Sequence, residues 1–148
     1  MSAGGEPLLH AARGWIGTPY VHQAAAKGAG CDCLGLIRGL WRERMGAEPE
    51  AVPPYSMDWS EPQGEEQLWA AALRHMAVKN SGAPAPGDVL LFRMRHGAVA
   101  KHIGLQARIG ASPSFIHAYA RHGVVESPLS LPWQRRIVAR FVFPEEVS

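Results

Sequence analysis

The stretch GAGCDCLGLIRGLWRERM, residues 28–45, holds both cysteines of the chain, and its reading organises everything around it. Leu36, Ile37, Leu40, Trp41 and Met45 recur with the 3.6-residue period of a helix that has one apolar face, and Gly46 stands where a helix ends on a left-handed residue. Asp32 occupies the position of an N-cap. Cys33 then falls in the first turn, where unpaired N–H groups and the helix dipole favour negative charge. Cys31 falls outside the helix. Each thiol is a small buried hydrophobe, half of a disulfide, a metal ligand or a nucleophile. A Cys31–Cys33 disulfide closes a strained ring. C-x-C is an uncommon zinc spacing. Burial as a small apolar residue and, for Cys33, nucleophilic chemistry both stay open. Gly28 and Gly30 are read as letting the loop bend into the helix, and Gly35 as letting a sheet approach its first turn.

Upstream, EPLLHAARGW (6–15) reads as a short helix with Leu8, Leu9, Ala12 and Trp15 on one side, GTPY (17–20) as a turn and AAAKGAG (24–30) as a loop. Downstream, residues 47–63 carry Pro49, Pro53, Pro54 and Pro62 without a period, which marks a long loop, a cleft wall or a docking segment whose Tyr55 and Trp59 suit an interface. EEQLWAAALRHM (65–76) is a further helix with an acidic start. From Asp88 the texture changes. DVLLFRM, AKHIGLQA, SFIHAYA, HGVVESPL and RIVARFVF are β-rich runs separated by Gly, Pro and Ser. Helices followed by about five strands predict an α+β domain with a largely antiparallel sheet. No repeat or boundary divides the chain, so 1–148 reads as one domain.

Composition narrows the function classes. A 148-residue chain that is 47% hydrophobic and 19% charged suits an ordinary folded domain. A net charge of +2, with the basic residues spread along the chain, does not point to nucleic acid. No apolar run is long enough to cross a bilayer. The first 15 residues lack the basic and apolar regions of a signal peptide. The expectation is synthesis in a cytoplasm, where a structural disulfide is disfavoured.

A thiol nucleophile needs a base, and the base needs a group that fixes its orientation. Two histidines lie within strand-like runs. Alternation in HIGLQ puts His102, Gly104 and Gln106 on one face and Ile103 and Leu105 on the other, so His102 points away from the aliphatic side. His117, between Ile116 and Ala118, does the same. His22, just after the P-Y turn, is a candidate cleft residue. His10, His75, His96 and His122 read as surface residues, Trp59 and Trp69 as packing residues.

The blocks GTPY (17–20), GCDCLGL (30–36), PGDVLLF (86–92), KHIGL (101–105), FIHAY (115–119) and GVVESPL (123–129), in this order, resemble the NlpC/P60 papain-like cysteine peptidases from about Ala11 to Phe143. The resemblance implies helices packed on a mostly antiparallel sheet of five to six strands. It implies Cys33 as nucleophile, His102 as base and His117 as the third polar residue. Tyr20 would help hold the oxyanion or the substrate carbonyl, beside the Cys33 N–H. No cofactor or metal is implied. The implied reaction is hydrolysis of an amide bond in peptidoglycan stem peptides, usually between D-γ-glutamate and diaminopimelate or lysine. His102 would accept the Cys33 proton on attack, or the pair would rest as thiolate and imidazolium. Leu34 stands where many members have serine. The form CDCLGL resembles a subgroup from bacteriophage and gene-transfer-agent tail regions, which implies a tail-tip or hub partner and action in the periplasm of a target cell, with no membrane insertion. A catalytically silent tail component of the same fold, or an amidase or acyltransferase on another amide, are the alternatives. Cys31 has no role in the family pattern.

Overall fold

A computed structural model of the chain describes residues 5–52, 54–55, 66–79, 83–95 and 97–144. Trp59 and His96 lie outside the described residues. The elements in chain order are α1 (Gly5–Arg13), β1 (Ala25–Ala26), β2 (Gly30–Cys31), α2 (Cys33–Met45), α3 (Gln67–His75), β3 (Ala77–Val78), β4 (Val89–Arg93), β5 (Ala100–Gln106), β6 (Ser114–Tyr119), β7 (Gly123–Pro128), α4 (Leu131–Arg136) and β8 (Ile137–Val142). One six-stranded sheet has the order β3-β8-β4-β5-β6-β7, and every neighbouring pair in it is antiparallel. The α+β architecture expected from the sequence is the one found.

The helix read from residues 33–45 forms with the caps assigned to it. Asp32 accepts from the Gly35 N–H at 2.7 Å, and Gly46 takes φ +94° while its N–H reaches the Arg42 carbonyl. Gly35 has a different reason from the one expected. A Cβ there would sit 1.8 Å from the Ala24 carbonyl oxygen, so the loop before the helix, not the sheet, requires the glycine. That loop holds a two-residue antiparallel pair, β1–β2, where no strand was expected. At the start of α3, Glu66 makes no cap hydrogen bond. Its carboxylate accepts from the Ala100 N–H at 2.9 Å and ties the helix to β5 instead.

Two elements left no usable period. β3 is a two-residue edge strand on β8. α4 occupies six residues of what reads as loop and strand, entered through Ser130 with a proline in its first turn.

The core has two parts. On one face of the sheet Leu8, Leu9, Leu36, Leu40 and Leu68 from the helices meet Val89, Leu91, Ile103, Leu105, Ile116 and Phe141. Each fully buried side chain of this size contributes about 1.5–3 kcal/mol. Leu90, Phe92, Phe115 and Leu129 form a second cluster, with Trp133 and Ile137 packed on it. His102 does point away from Ile103 and Leu105, but the face it joins is itself covered: its ring lies 5.6 Å from those of Phe92 and Trp133. The strands alternate between two buried faces, so alternation marks which face, not exposure.

Candidate active site

The site is built around the N-terminus of α2. Asp32 is buried, and its carboxylate takes three donors: the Gly35 N–H at 2.7 Å, the Gln23 N–H at 2.7 Å and the Tyr55 hydroxyl at 2.5 Å. One cap thereby fixes the helix start, the turn after GTPY and the proline-rich segment. The turn is also clipped on by backbone: the Cys31 N–H donates to Pro19 O at 2.9 Å and the Val21 N–H to Cys31 O at 3.1 Å. Cys31 is wholly buried and has no disulfide, so its side chain fills the wall behind this junction. Burial first, then the Asp32 charge, push its thiol up to about 12.

Cys33 opens α2 and is nearly buried. β5 carries a bulge against β4 there: Phe92 faces His102 and Arg93 faces Ala100, leaving Lys101 as the extra residue. The Lys101 carbonyl accepts the Cys33 thiol at 3.8 Å. Among the described residues the sulfur makes no hydrogen bond to either imidazole. Burial and then the Asp32 charge raise the Cys33 pKa to about 12, against the pull of the Ile103, Leu34 and Cys33 N–H groups, which favour thiolate.

The two histidines meet as the sequence anticipates. His102 Nε2 and His117 Nδ1 are 2.7 Å apart, and His117 Nε2 lies 2.9 Å from the Ser127 hydroxyl. Gly104 leaves room for this pair, since a Cβ there would come within 3.1 Å of the His117 Cβ. With Nε2 engaged, Nδ1 is the nitrogen of His102 left for the thiol. For Nδ1 to accept a proton, Nε2 must carry a hydrogen and donate it to His117 Nδ1. His117 must then carry its own hydrogen on Nε2 and donate to Ser127 Oγ. The chain His102–His117–Ser127 can hold the tautomer of His102 that acts as a base.

Trp133 of α4 packs on both imidazoles, its ring 5.6 Å from that of His102 and 5.3 Å from that of His117. Phe115 stacks on His117 at 4.0 Å. This apolar housing holds both histidines neutral. Burial lowers His102 to about 4; burial, then the charges of His102 and His122, lower His117 to about 2. A neutral thiol beside a neutral imidazole favours transfer of the proton on attack over a resting ion pair.

A cavity of about 280 Å³ collects these groups. Cys33, His102, Tyr20, His22, Asp32, Tyr55, Met94 and Tyr119 are among the residues that line it. Tyr20 is half-buried, and burial, then the neighbouring Cys33, raise its pKa, which keeps its hydroxyl protonated as a donor. His22 does border the cleft. Its Nε2 lies 2.9 Å from the Tyr55 carbonyl and its Nδ1 3.7 Å from Asp32, so it braces the wall. Tyr55 belongs to that wall. His10 and His122 are exposed as expected, with His122 stacked on Tyr119 at 5.4 Å. His75 is not a free surface residue: it is half-buried, paired with Glu50 and set edge-on to Trp41. Among the described residues no group of three His, Cys, Asp or Glu side chains is placed to hold a metal ion.

The arrangement suits acyl transfer. The Cys33 thiol can turn from the Lys101 carbonyl and give its proton to His102 Nδ1 as sulfur attacks a carbonyl carbon. The Cys33 N–H and the Tyr20 hydroxyl are the donors at hand for the oxyanion. His102 would then be placed to protonate a leaving amine and to activate water against the thioester. Sequence reasoning missed three contributors. Ser127 lies two residues along β7 from Val125, the partner of His117, and only the strand register reveals it. Trp133 sits in a helix with no visible period. The several bonds of Asp32 depend on segments that meet only in the fold.

The chain is 29% identical over 124 residues to the Bacillus subtilis (strain 168) protein named gamma-DL-glutamyl hydrolase, covering 84% of this chain and 25% of that protein. It is 24% identical over 135 residues to a probable endopeptidase of Haemophilus influenzae, covering 87% of this chain and 71% of that one. The chain thus spans about a quarter of the length of the first relative. Among solved structures, the NlpC/p60 domain of the peptidoglycan hydrolase SagA superposes with a TM-score of 0.63 at 19% identity, covering 95% of this chain and all of that domain. An NlpC/P60 family protein from Bacillus cereus superposes with a TM-score of 0.62 at 19% identity, over 95% of this chain and 40% of that one. These likenesses establish the fold. Residues 17–142, which contain the turn, the cysteine helix and both histidine strands, match the NlpC/P60 family as a whole, and the chain belongs to it.

Proposed function

We propose that this chain is a cysteine peptidase that hydrolyses an amide bond in bacterial peptidoglycan stem peptides, the bond between D-γ-glutamate and diaminopimelate or lysine. The observation that carries the reading is the convergence of Cys33, at a helix N-terminus, and His102, bonded to His117, on one cavity. The names of its relatives, a gamma-DL-glutamyl hydrolase, a probable endopeptidase and a peptidoglycan hydrolase, support the substrate class. Mass spectrometry of sacculi incubated with the protein tests it. The expected products are stem peptides split after γ-glutamate. An unchanged muropeptide profile counts against the reading.

The CDCLGL form, Cys31 to Leu36, supports a finer proposal: the protein acts at the tip of a phage-like tail, held there by a hub or baseplate protein. Docking would supply effective concentration in place of intrinsic affinity for the wall. Purified particles that lack the protein would rule this out.

A further inference from the structure

Beside the catalytic cavity lies a second groove, of about 660 Å³, between the end of β4 and α4. Met94 borders both spaces, so the two lie next to one another. The groove is lined by Arg93 and Arg95 from one side and Arg135 and Arg136 from the other, and among the described residues no acidic side chain lines it. Arg93, Arg135 and Arg136 form no ion pair among the described residues, unlike Arg38, Arg42, Arg74 and Arg140, which all do. The Arg136 guanidinium lies 5.3 Å over the Trp133 ring, the same ring that covers His102 and His117.

The mechanism gives this groove a direction. His102 must protonate the leaving nitrogen, so the leaving portion of the substrate lies on the His102 side of Cys33. Tyr20, His22 and Tyr55 wall the other side, around Asp32. A chain continuing from the leaving nitrogen past Met94 enters the arginine groove. We propose that this groove binds a carboxylate on the leaving-group side of a peptide substrate, with Arg93 and Arg136 as its principal partners. The proposal rests on the peptidase reading and adds to it a charge requirement beyond the scissile bond. Guanidinium forks match carboxylate geometry and give charge-assisted bonds. A long polyanion would call for an extended basic face, and the remaining cations of this chain are dispersed or paired.

The test uses the full chain and NMR titration with lysyl-D-alanine, whose carboxylate is free, and with its C-terminal amide. The carboxylate form should bind about tenfold more tightly, as one charge-assisted pair implies, and should shift Trp133 signals. In Arg93→Gln/Arg136→Gln the preference should fall to about twofold or less. Arg93→Gln alone, at a half-buried strand end, serves if the double variant fails to fold, and should weaken the preference at least threefold. Equal binding of acid and amide by the wild type overturns the proposal. So does a preference that survives in the variants, or displacement of the dipeptide by a short DNA duplex at lower concentration than the dipeptide itself. Muropeptide cleavage is scored separately: selective binding without any cleavage would refute the peptidase reading, and the leaving-group role of the groove with it, while carboxylate binding by the arginines would stand.

Discussion

Asp32→Ala should weaken the fold and sharpen the thiol at once. In the native chain the carboxylate, 2% exposed, accepts from the Gly35 N–H, the Gln23 N–H and the Tyr55 hydroxyl. Loss of an N-cap costs about 1 kcal/mol. Two further donors are left without an acceptor, each at about 1 kcal/mol since both are only partly buried. The sum is about 3 kcal/mol, or a fall in Tm of roughly 10 °C for a chain of this size. The same substitution removes the negative charge that, after burial, raises the Cys33 pKa. Alkylation of Cys33 by iodoacetamide should therefore begin at lower pH than in the wild type. Asp32→Asn separates the two effects: it keeps an acceptor for Gly35, should cost less stability, and should shift Cys33 in the same direction. Thermal unfolding gives the first readout. Peptide mapping of the alkylated protein gives the second and distinguishes Cys33 from Cys31, whose thiol the Asp32 charge also raises. A Tm within about 3 °C of wild type for Asp32→Ala, or unchanged Cys33 alkylation in Asp32→Asn, would refute this account of the helix start.

Ser127→Ala removes the acceptor at the far end of the imidazole chain, and kcat should fall about fivefold, as a lost hydrogen bond of about 1 kcal/mol implies. KM should stay constant, and Ser127→Thr should restore the rate; a changed KM would point to substrate contact instead. His102→Ala should cost about 10²-fold or more in kcat/KM, the usual range for a general acid–base, and His117→Ala less, because it acts through His102. Equal or inverted losses would mean that the two roles are exchanged. Acid should destabilise the protein through the same pair. His102 is lowered to about 4 in the fold, so the unfolded chain binds its proton first as pH falls below about 6.5. Stability is full above that value and declines towards pH 4, by about 3 kcal/mol for this residue alone. Urea midpoints measured from pH 7.5 to 4.5 should show the decline, with a shallower slope in His102→Gln; identical slopes would contradict the neutral, buried histidine.

What could be read in the sequence was local or periodic. Asp32, the apolar stripe from Leu36 to Met45 and Gly46 specify α2 within one segment. β4 to β7 have β-rich runs long enough to be seen between turn residues. α4 and β3 are too short to carry a period, and they form because β8 supplies the edge for one and the sheet a surface for the other. The thiol and both imidazoles were visible because each stands in a motif. Their setting was not. Ser127 reaches His117 only through strand register, Tyr55 reaches Asp32 across 23 residues, and Trp133 covers the histidines from a helix the sequence concealed. The face of the sheet that carries His102 was legible, but its burial was not, because alternation in a sheet covered on both sides gives no exposure signal.

The most direct test compares wild-type protein and Cys33→Ala on the same sacculi, with folding checked by circular dichroism and muropeptides resolved by mass spectrometry. Wild type should release stem peptides cleaved at one amide bond, and Cys33→Ala, folded, should release none. Cleavage retained by the variant would contradict the assignment of Cys33 as the nucleophile.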